Sequence, residues 1–372
     1  MAIGLLVLLF LMACFFPKSR LLYTLIVLYI WIVFSFNTGA PDRNTYQWIY
    51  NEDIEGAFEP LFTFLMTLSR RLNFSYVGFR MLLAALYIMF IHLTYRSVEK
   101  YKTFALAMYL LAPFPWQVSG IRAALACSII MYAISLLIKN PNKNKYKFLF
   151  VILLATLVHY SSILFLVLLF VNQGKSSKRI FEFLIIAIIG TIIVLYSDVL
   201  INVVSKFTKR EKIIGWLTGG KDKDGFPNWK GFAAELLILF GNIFLTFKSK
   251  NIISRNSADY EKTRVVSFIY NLNIITILFI PFLRLNDTYA RLLIVMHGVN
   301  IVSYTMAAYV LQEKKIQLLS KKQSWLTKPK VRFNRFVLII PLWSYFIAIY
   351  QNLPFKGTSM SVLEFLNKMK IF

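Results

Sequence analysis

Acidic residues are scarce in this 372-residue chain: 17 Asp and Glu stand against 42 Lys and Arg, with only two cysteines and three histidines. Cys14 and Cys127 lie in separate apolar runs and form no CxxC pair. That excludes a disulfide framework and a cysteine-based zinc site. No P-loop, GxSxG, HExxH or well-placed GxGxxG is present, which removes the common nucleotide, serine-hydrolase and zincin readings. KDKDG at 221–225 lacks the spacing and closing Glu of a calcium loop. No inverted repeat of the transporter kind is visible. Residues 2–16 have no basic n-region, and Lys18 and Arg20 follow the run instead. They read as a first transmembrane helix with its N-terminus outside, not as a cleaved signal.

What the chain has in abundance is apolar sequence. It is 58% hydrophobic and 16% aromatic, with a mean hydropathy of +0.61. Several runs approach the ~20 residues that span a bilayer as helix. The short alternating segments of an outer-membrane barrel are absent. The expected fold is therefore all-α: a polytopic helical integral membrane protein, one transmembrane bundle over 1–350 with a tail at 351–372. The net charge of +25 does not imply nucleic acid, because Lys and Arg accumulate in cytoplasmic loops beside anionic lipid.

Membrane segments are expected at 2–16, 21–36, 81–95, 103–118, 120–138, 148–171, 180–197, 231–247, 265–283, 290–311 and 336–350. Segment 61–68 is apolar too briefly to span, so 58–72 reads as a re-entrant or interfacial helix. His159-Tyr160-Ser161-Ser162 interrupts 148–171, which reads as two half-helices that dip in and return beside a cavity. More than half of the Lys and Arg fall in the loops 17–20, 96–102, 139–147, 175–179, 248–264 and 312–335. Those loops are expected to be cytoplasmic, which puts 37–80 and 198–230 outside. The second of these is long enough to be either a functional lid or disordered.

Against this background the ionisable residues in or beside apolar segments mark a site, since such groups are costly in a membrane without a partner or a wet cavity. They are Asp42, Arg43, Glu59, Arg80, Arg122, His159, Arg284, Asp287 and Arg291, all near the expected outer face. Arg122 opens a long apolar helix after PFPWQVSG and suits bidentate phosphate binding; snorkelling at a helix end is its structural alternative. Asp287 and Arg291 are spaced to pair on one helix face. His159 suits phosphate or sugar contact, or proton movement, though a lone His on an apolar helix is more often a packed one. Asp42 and Glu59 are candidate general bases at an apolar rim; an Asx turn and a helix-start charge are their structural alternatives. Tyr46, Trp48 and Trp116 suit sugar stacking or an interfacial aromatic belt. Together these residues describe a membrane enzyme with an outward pocket for an anionic substrate.

The pieces Gly39-x-x-Asp42-x-x-x-Tyr46, Glu59-Pro60, Arg122-Ala123-Ala124-Leu125-Ala126, KNKYKFLFVILLATLVHYSS (143–162) and Arg284 with the Tyr289 helix occur in that order. In this the chain resembles the EpsG family of Wzy-like bacterial polysaccharide polymerases. Gly-Ala-Pro-Asp at 39–42, and Ala123 where a Gln often follows the Arg, depart from the pattern. The resemblance implies a GT-C-like membrane fold in the plasma membrane, with an outward-facing cavity. It implies joining of repeat units carried on undecaprenyl diphosphate, which serve as donor and acceptor at the outer leaflet. It further implies no cofactor, no nucleotide sugar and no divalent metal, with a flippase and a chain-length regulator as protein partners. Under it, Arg122, Arg284, Arg291 and Arg80 bind the diphosphate, Asp42 or Glu59 activates the acceptor hydroxyl, His159 binds phosphate or positions sugar, and Tyr46, Asp287 and Tyr289 support them. The rivals are a lipid-linked oligosaccharide flippase, a membrane acyltransferase, and a glycosyltransferase adding a single side-chain sugar.

Overall fold

The computed structural model describes residues 2–40, 42–54, 56–118, 120–171, 179–195, 229–285 and 289–322, with Ile339 and Trp343. Among these residues every element is a helix and there is no strand. The first five are α1 (Ala2–Phe15), α2 (Arg20–Phe36), α3 (Arg43–Asn51), α4 (Pro60–Arg71) and α5 (Tyr76–Thr94). After a 3-10 stretch at Tyr95–Tyr101 come α6 (Lys102–Leu111), α7 (Pro113–Gln117), α8 (Ile121–Lys139) and α9 (Lys145–Val158). A 3-10 helix at Tyr160–Phe170 precedes α10 (Ile180–Leu195), α11 (Trp229–Asn256) and α12 (Tyr260–Ile275). A 3-10 turn at Thr276–Phe279 leads to α13 (Ile280–Leu285), and α14 (Ala290–Lys322) follows.

Local chemistry sets the helix starts. Ser19 and Ser75 accept from the N–H of Leu22 and Gly78, filling donors that a helix N-terminus leaves open. Pro60 and Pro113 occupy first-turn positions, where no N–H is needed. Asp259 caps α12 by accepting from the N–H groups of Glu261 and Lys262, and the Lys262 N–H is the main reason its carboxyl lies below the ordinary range.

Five helical stretches are long and apolar enough to cross a membrane: Tyr76–Val98, Ile121–Lys139, Gly231–Asn256, Tyr260–Arg284 and Ala290–Lys314. Within them, 94% of the α14 window is buried and 78% of the α8 window, against 39% for α5. α14 and α8 are thus the centre of the bundle. α1 and α10 show Leu8, Leu11, Phe181 and Ile188 on the surface, as lipid-facing helices do. Between the central helices, Asn273 and Asn300 exchange hydrogen bonds of 2.6 and 2.8 Å, and Asn242 Oδ1 accepts from Tyr304 and Trp343. Such polar pairs join helices where no hydrophobic force does so.

Three segment boundaries are corrected. The expected span 103–118 breaks at Ala112, because Pro113 and Pro115 follow and a proline has no N–H to donate to the carbonyl four residues back. α11 runs past 247 to Asn256, taking up part of the expected loop 248–264. α14 likewise continues to Lys322. The expected loop 198–230 falls almost wholly outside the described residues, as do the expected segment 336–350, apart from Ile339 and Trp343, and the tail 351–372.

Contacts at the helix ends fix which termini lie together. At one end, Thr103 Oγ1 donates to Ser19 O at 3.0 Å, Lys100 pairs with Glu313 at 2.6 Å, Arg264 donates to Lys139 O at 2.9 Å, and Lys314 reaches Asn256 at 2.8 Å. This end is rich in Lys and Arg. The opposite end gathers the C-terminus of α2 and the N-termini of α4, α5, α8 and α14. α4 begins beside Arg122 and is followed by α5, whose first turns bond to the end of α2. Its 12 residues rise only about 18 Å.

Arg80 has a different place from the one expected. It is 1% exposed, and its two terminal nitrogens donate to Asn37 O at 2.5 Å and Phe34 O at 2.6 Å. These are carbonyls that the end of α2 leaves without helical partners, and a cation there suits the helix dipole. Arg80→Ala is expected to cost about 3 kcal/mol, mainly through two orphaned carbonyls, and Arg80→Lys to recover only part because it lacks the fork. Thermal unfolding of the detergent-solubilised variants checks this.

Candidate functional site

At the end opposite the basic loops, side chains from five segments meet. Glu59 stands at the N-terminus of α4, Arg122 in the first turn of α8, His159 at the break after α9, Arg291 in the first turn of α14, and Asp42 with Tyr46 at the start of α3. Each position follows from local sequence. Pro60 starts α4 immediately after Glu59. Gly120, extended at φ −128°, ψ 92°, starts α8 just before Arg122. His159 is itself extended, at φ −156°, ψ 115°, which ends α9 and turns the chain into the 3-10 helix packed against it. The expected split of 148–171 at His159 is therefore present.

The polar contacts form two linked pairs. Arg122 Nη1 donates to Glu59 Oε2 at 2.6 Å, while Glu59 Oε1 accepts from the N–H of Tyr160 at 3.3 Å. Arg291 Nη1 lies 2.7 Å from His159 Nε2, and His159 Nδ1 lies 3.1 Å from Ser161 Oγ. A guanidinium can only donate, so His159 Nε2 is the acceptor and Ser161 faces the other ring nitrogen. Each arginine also rests on an aromatic ring, Arg122 over Phe58 at 4.8 Å and Arg291 over Trp116 at 5.5 Å. Cation–π contacts of this kind hold a guanidinium plane in place. Tyr46 stacks on the far ring of the first pair, 4.9 Å from Phe58 with planes 16° apart. Burial raises the Tyr46 phenol above its ordinary value, with Arg122, Asp42, Arg291 and Glu59 close enough to act on it. Tyr46 is therefore a neutral hydroxyl.

Both arginines keep unused donors. The Nε–H groups of Arg122 and Arg291 are buried and have no hydrogen-bond partner among the described residues. A charged donor without an acceptor in a buried place is costly. Two such donors, on neighbouring guanidinium groups, make a receptor for an anion with several oxygens. Asp42 stands at the rim. It is exposed and makes no capping bond to α3, whereas Glu59 is 4% exposed with both oxygens engaged.

The remaining expected residues lie elsewhere. Arg284 is 1% exposed and sits over Phe232 at 5.7 Å, beside a second apolar cluster that also receives Trp116 and Tyr289. It is one wall away from the Arg122–Arg291 pair. Tyr289 packs against Phe282 at 5.8 Å. Asp287 lies outside the described residues. Trp48 is exposed, and Trp116 carries Arg291 on its ring.

Several supporting residues were not singled out from the sequence. Phe58 is one; an aromatic directly before Glu59-Pro60 was its only signal. Gln117 is another. Fully buried Tyr87 and Tyr109 both bond to its side-chain oxygen, which anchors the short helix that carries Trp116. Among the described residues, no group of three or more His, Cys, Asp or Glu side chains gathers.

Comparison with known families matches residues 20–355 to the EpsG family. No curated protein and no solved structure matches the chain. The match covers nearly the whole chain, so the protein belongs to the EpsG family. With its long apolar helices, it is a multi-pass membrane protein of polysaccharide biosynthesis.

Proposed function

We propose that this EpsG-family protein is a polysaccharide polymerase. It joins repeat units carried on undecaprenyl diphosphate at the outer face of the bacterial plasma membrane. The observation that carries this reading is the pair Arg122 and Arg291, each pinned on an aromatic ring and each with a buried, unpartnered Nε–H. They stand beside an exposed carboxylate, at the bundle end opposite the basic loops. The excess of Lys and Arg at the other end supports an outward-facing site.

In the proposed reaction Asp42 takes the proton from the acceptor hydroxyl as that oxygen attacks the anomeric carbon. The bond from that carbon to the lipid diphosphate breaks, and configuration inverts. The charge growing on the leaving diphosphate goes to Arg122 and Arg291. Preorganised cations of this kind stabilise a leaving group without reorganising at the moment of reaction, and arginines supply here what a metal supplies elsewhere. When phosphate takes over Arg291, His159 is released to bond phosphate or sugar. Tyr46 offers a neutral hydroxyl near both arginines. Arg284 completes the wall toward the lipid carrier, and Arg80 supports the site from behind by holding α5 to α2. A flippase would deliver the substrate, and a chain-length regulator would set when the product leaves.

The test is purified protein in vesicles supplied with lipid-linked repeat units from its own source. A product ladder is expected. Transbilayer movement of the lipid-linked sugar with no ladder would replace this reading with a flippase.

A further inference from the structure

Glu59 is an unusual residue to find at the start of α4. A carboxylate there normally caps its own helix or faces the dipole, yet Glu59 makes no capping bond. It reaches across to Arg122 at 2.6 Å and to the Tyr160 N–H at 3.3 Å, and is 4% exposed. One buried carboxylate thus ties together α4, the start of α8 and the break after α9. A general base needs an oxygen open to the acceptor hydroxyl, and both Glu59 oxygens are taken. What it does instead follows from charge. Arg122 has one carboxylate bonded to it, whereas Arg291 is bonded to an imidazole nitrogen. The two arginines are therefore not equivalent receptors.

We infer that Glu59 is a positioning residue and counter-ion: it aims Arg122 and competes with phosphate for it, so that the leaving lipid diphosphate is released. This rests on the diphosphate reading above. Substrate phosphate takes Arg122 from Glu59 for the transfer, and Glu59 takes it back afterwards. Arg291, without such a competitor, supplies the standing affinity.

The experiment measures binding of farnesyl diphosphate, a short prenyl diphosphate, to the purified full-length protein. Glu59→Gln keeps the shape and the acceptor oxygen but removes the charge. It is expected to bind the probe about tenfold more tightly, the effect of deleting one nearby charge at moderate effective dielectric. Glu59→Ala, which removes the aim as well, should bind less tightly than Glu59→Gln. A purely structural role predicts no gain in affinity for either variant. Because Glu59→Gln leaves Arg122 without its carboxylate, the pair Arg122→Gln and Glu59→Gln/Arg122→Gln, whose double variant holds no unpaired charge, is measured too. In the Arg122→Gln background nothing is left to compete for, so Glu59→Gln is expected to raise probe affinity much less there than in the wild type. Unchanged affinity in Glu59→Gln, or an equal gain in both backgrounds, overturns the inference while the wild-type affinity leaves the diphosphate reading in place. A Glu59→Gln protein that keeps wild-type probe affinity but forms no ladder would make Glu59 the base. A wild-type protein that binds no probe overturns both readings.

Discussion

Arg291→Ala is expected to lower kcat/KM for ladder formation by about 10²–10³-fold, the usual cost of removing one preorganised donor from a developing charge. The loss should fall on both constants: KM rises because Arg291 holds the bound diphosphate, and kcat falls because the interaction strengthens as the diphosphate leaves. Arg291 is the stronger choice of the two arginines: its recorded hydrogen bond is to His159 Nε2 at 2.7 Å, and its Nε–H is buried without an acceptor. Arg291→Lys should recover little, since a point charge cannot reproduce a planar fork stacked on Trp116. Ladder intensity over time, at saturating and limiting lipid-linked substrate, separates kcat from KM. A loss confined to KM would make Arg291 a binding group and no more.

Asp42→Asn carries the second large effect, a fall in kcat of about 10²–10⁴-fold with the fold intact. The residue is exposed, makes no capping bond to α3 and lies within electrostatic range of Arg291. Losing it should leave little trace in stability. Removing a negative charge near Arg291 should also leave prenyl diphosphate binding unchanged or tighter. Two measurements check this: the ladder rate and farnesyl diphosphate affinity of the same preparation. A ladder at the wild-type rate would remove Asp42 from the chemistry. Weakened probe binding would assign it to site architecture instead.

Much of the fold was legible because a membrane makes apolar length informative. The start of α8 at Gly120 and the break at His159 were both readable from short sequence signals. The boundaries that moved did so for local reasons: Pro113 and Pro115 divide one expected span, and α11 and α14 carry helix past the apolar stretch into basic sequence. Apolar runs mark where a helix is buried, not where it stops.

The site was legible in membership more than in roles. Intramembrane charge pointed to Glu59, Arg122, His159 and Arg291, and these four meet. Charge alone could not say which arginine lines the candidate site and which serves the backbone. Arg80 and Arg122 both stand near helix starts, yet Arg80 is held by two carbonyls at the end of α2, those of Asn37 and Phe34, 43 and 46 residues earlier in the chain. Nor could spacing pair Glu59 with Arg122 across 63 residues, or set Phe58 and Trp116 beneath the guanidinium groups. Those facts come from packing between distant segments, for which a single sequence holds no local signal.

The central claim is that Arg122 and Arg291 together form one diphosphate receptor. Its most direct test is an experimental structure of the protein with a prenyl diphosphate bound. The account predicts phosphate oxygens within hydrogen-bond reach of both arginines, with His159 turned from Arg291 and Arg122 drawn from Glu59. A diphosphate seated at the opposite end, near Lys139 and Arg264, would contradict it, as would one bound while both arginines keep the partners they have here.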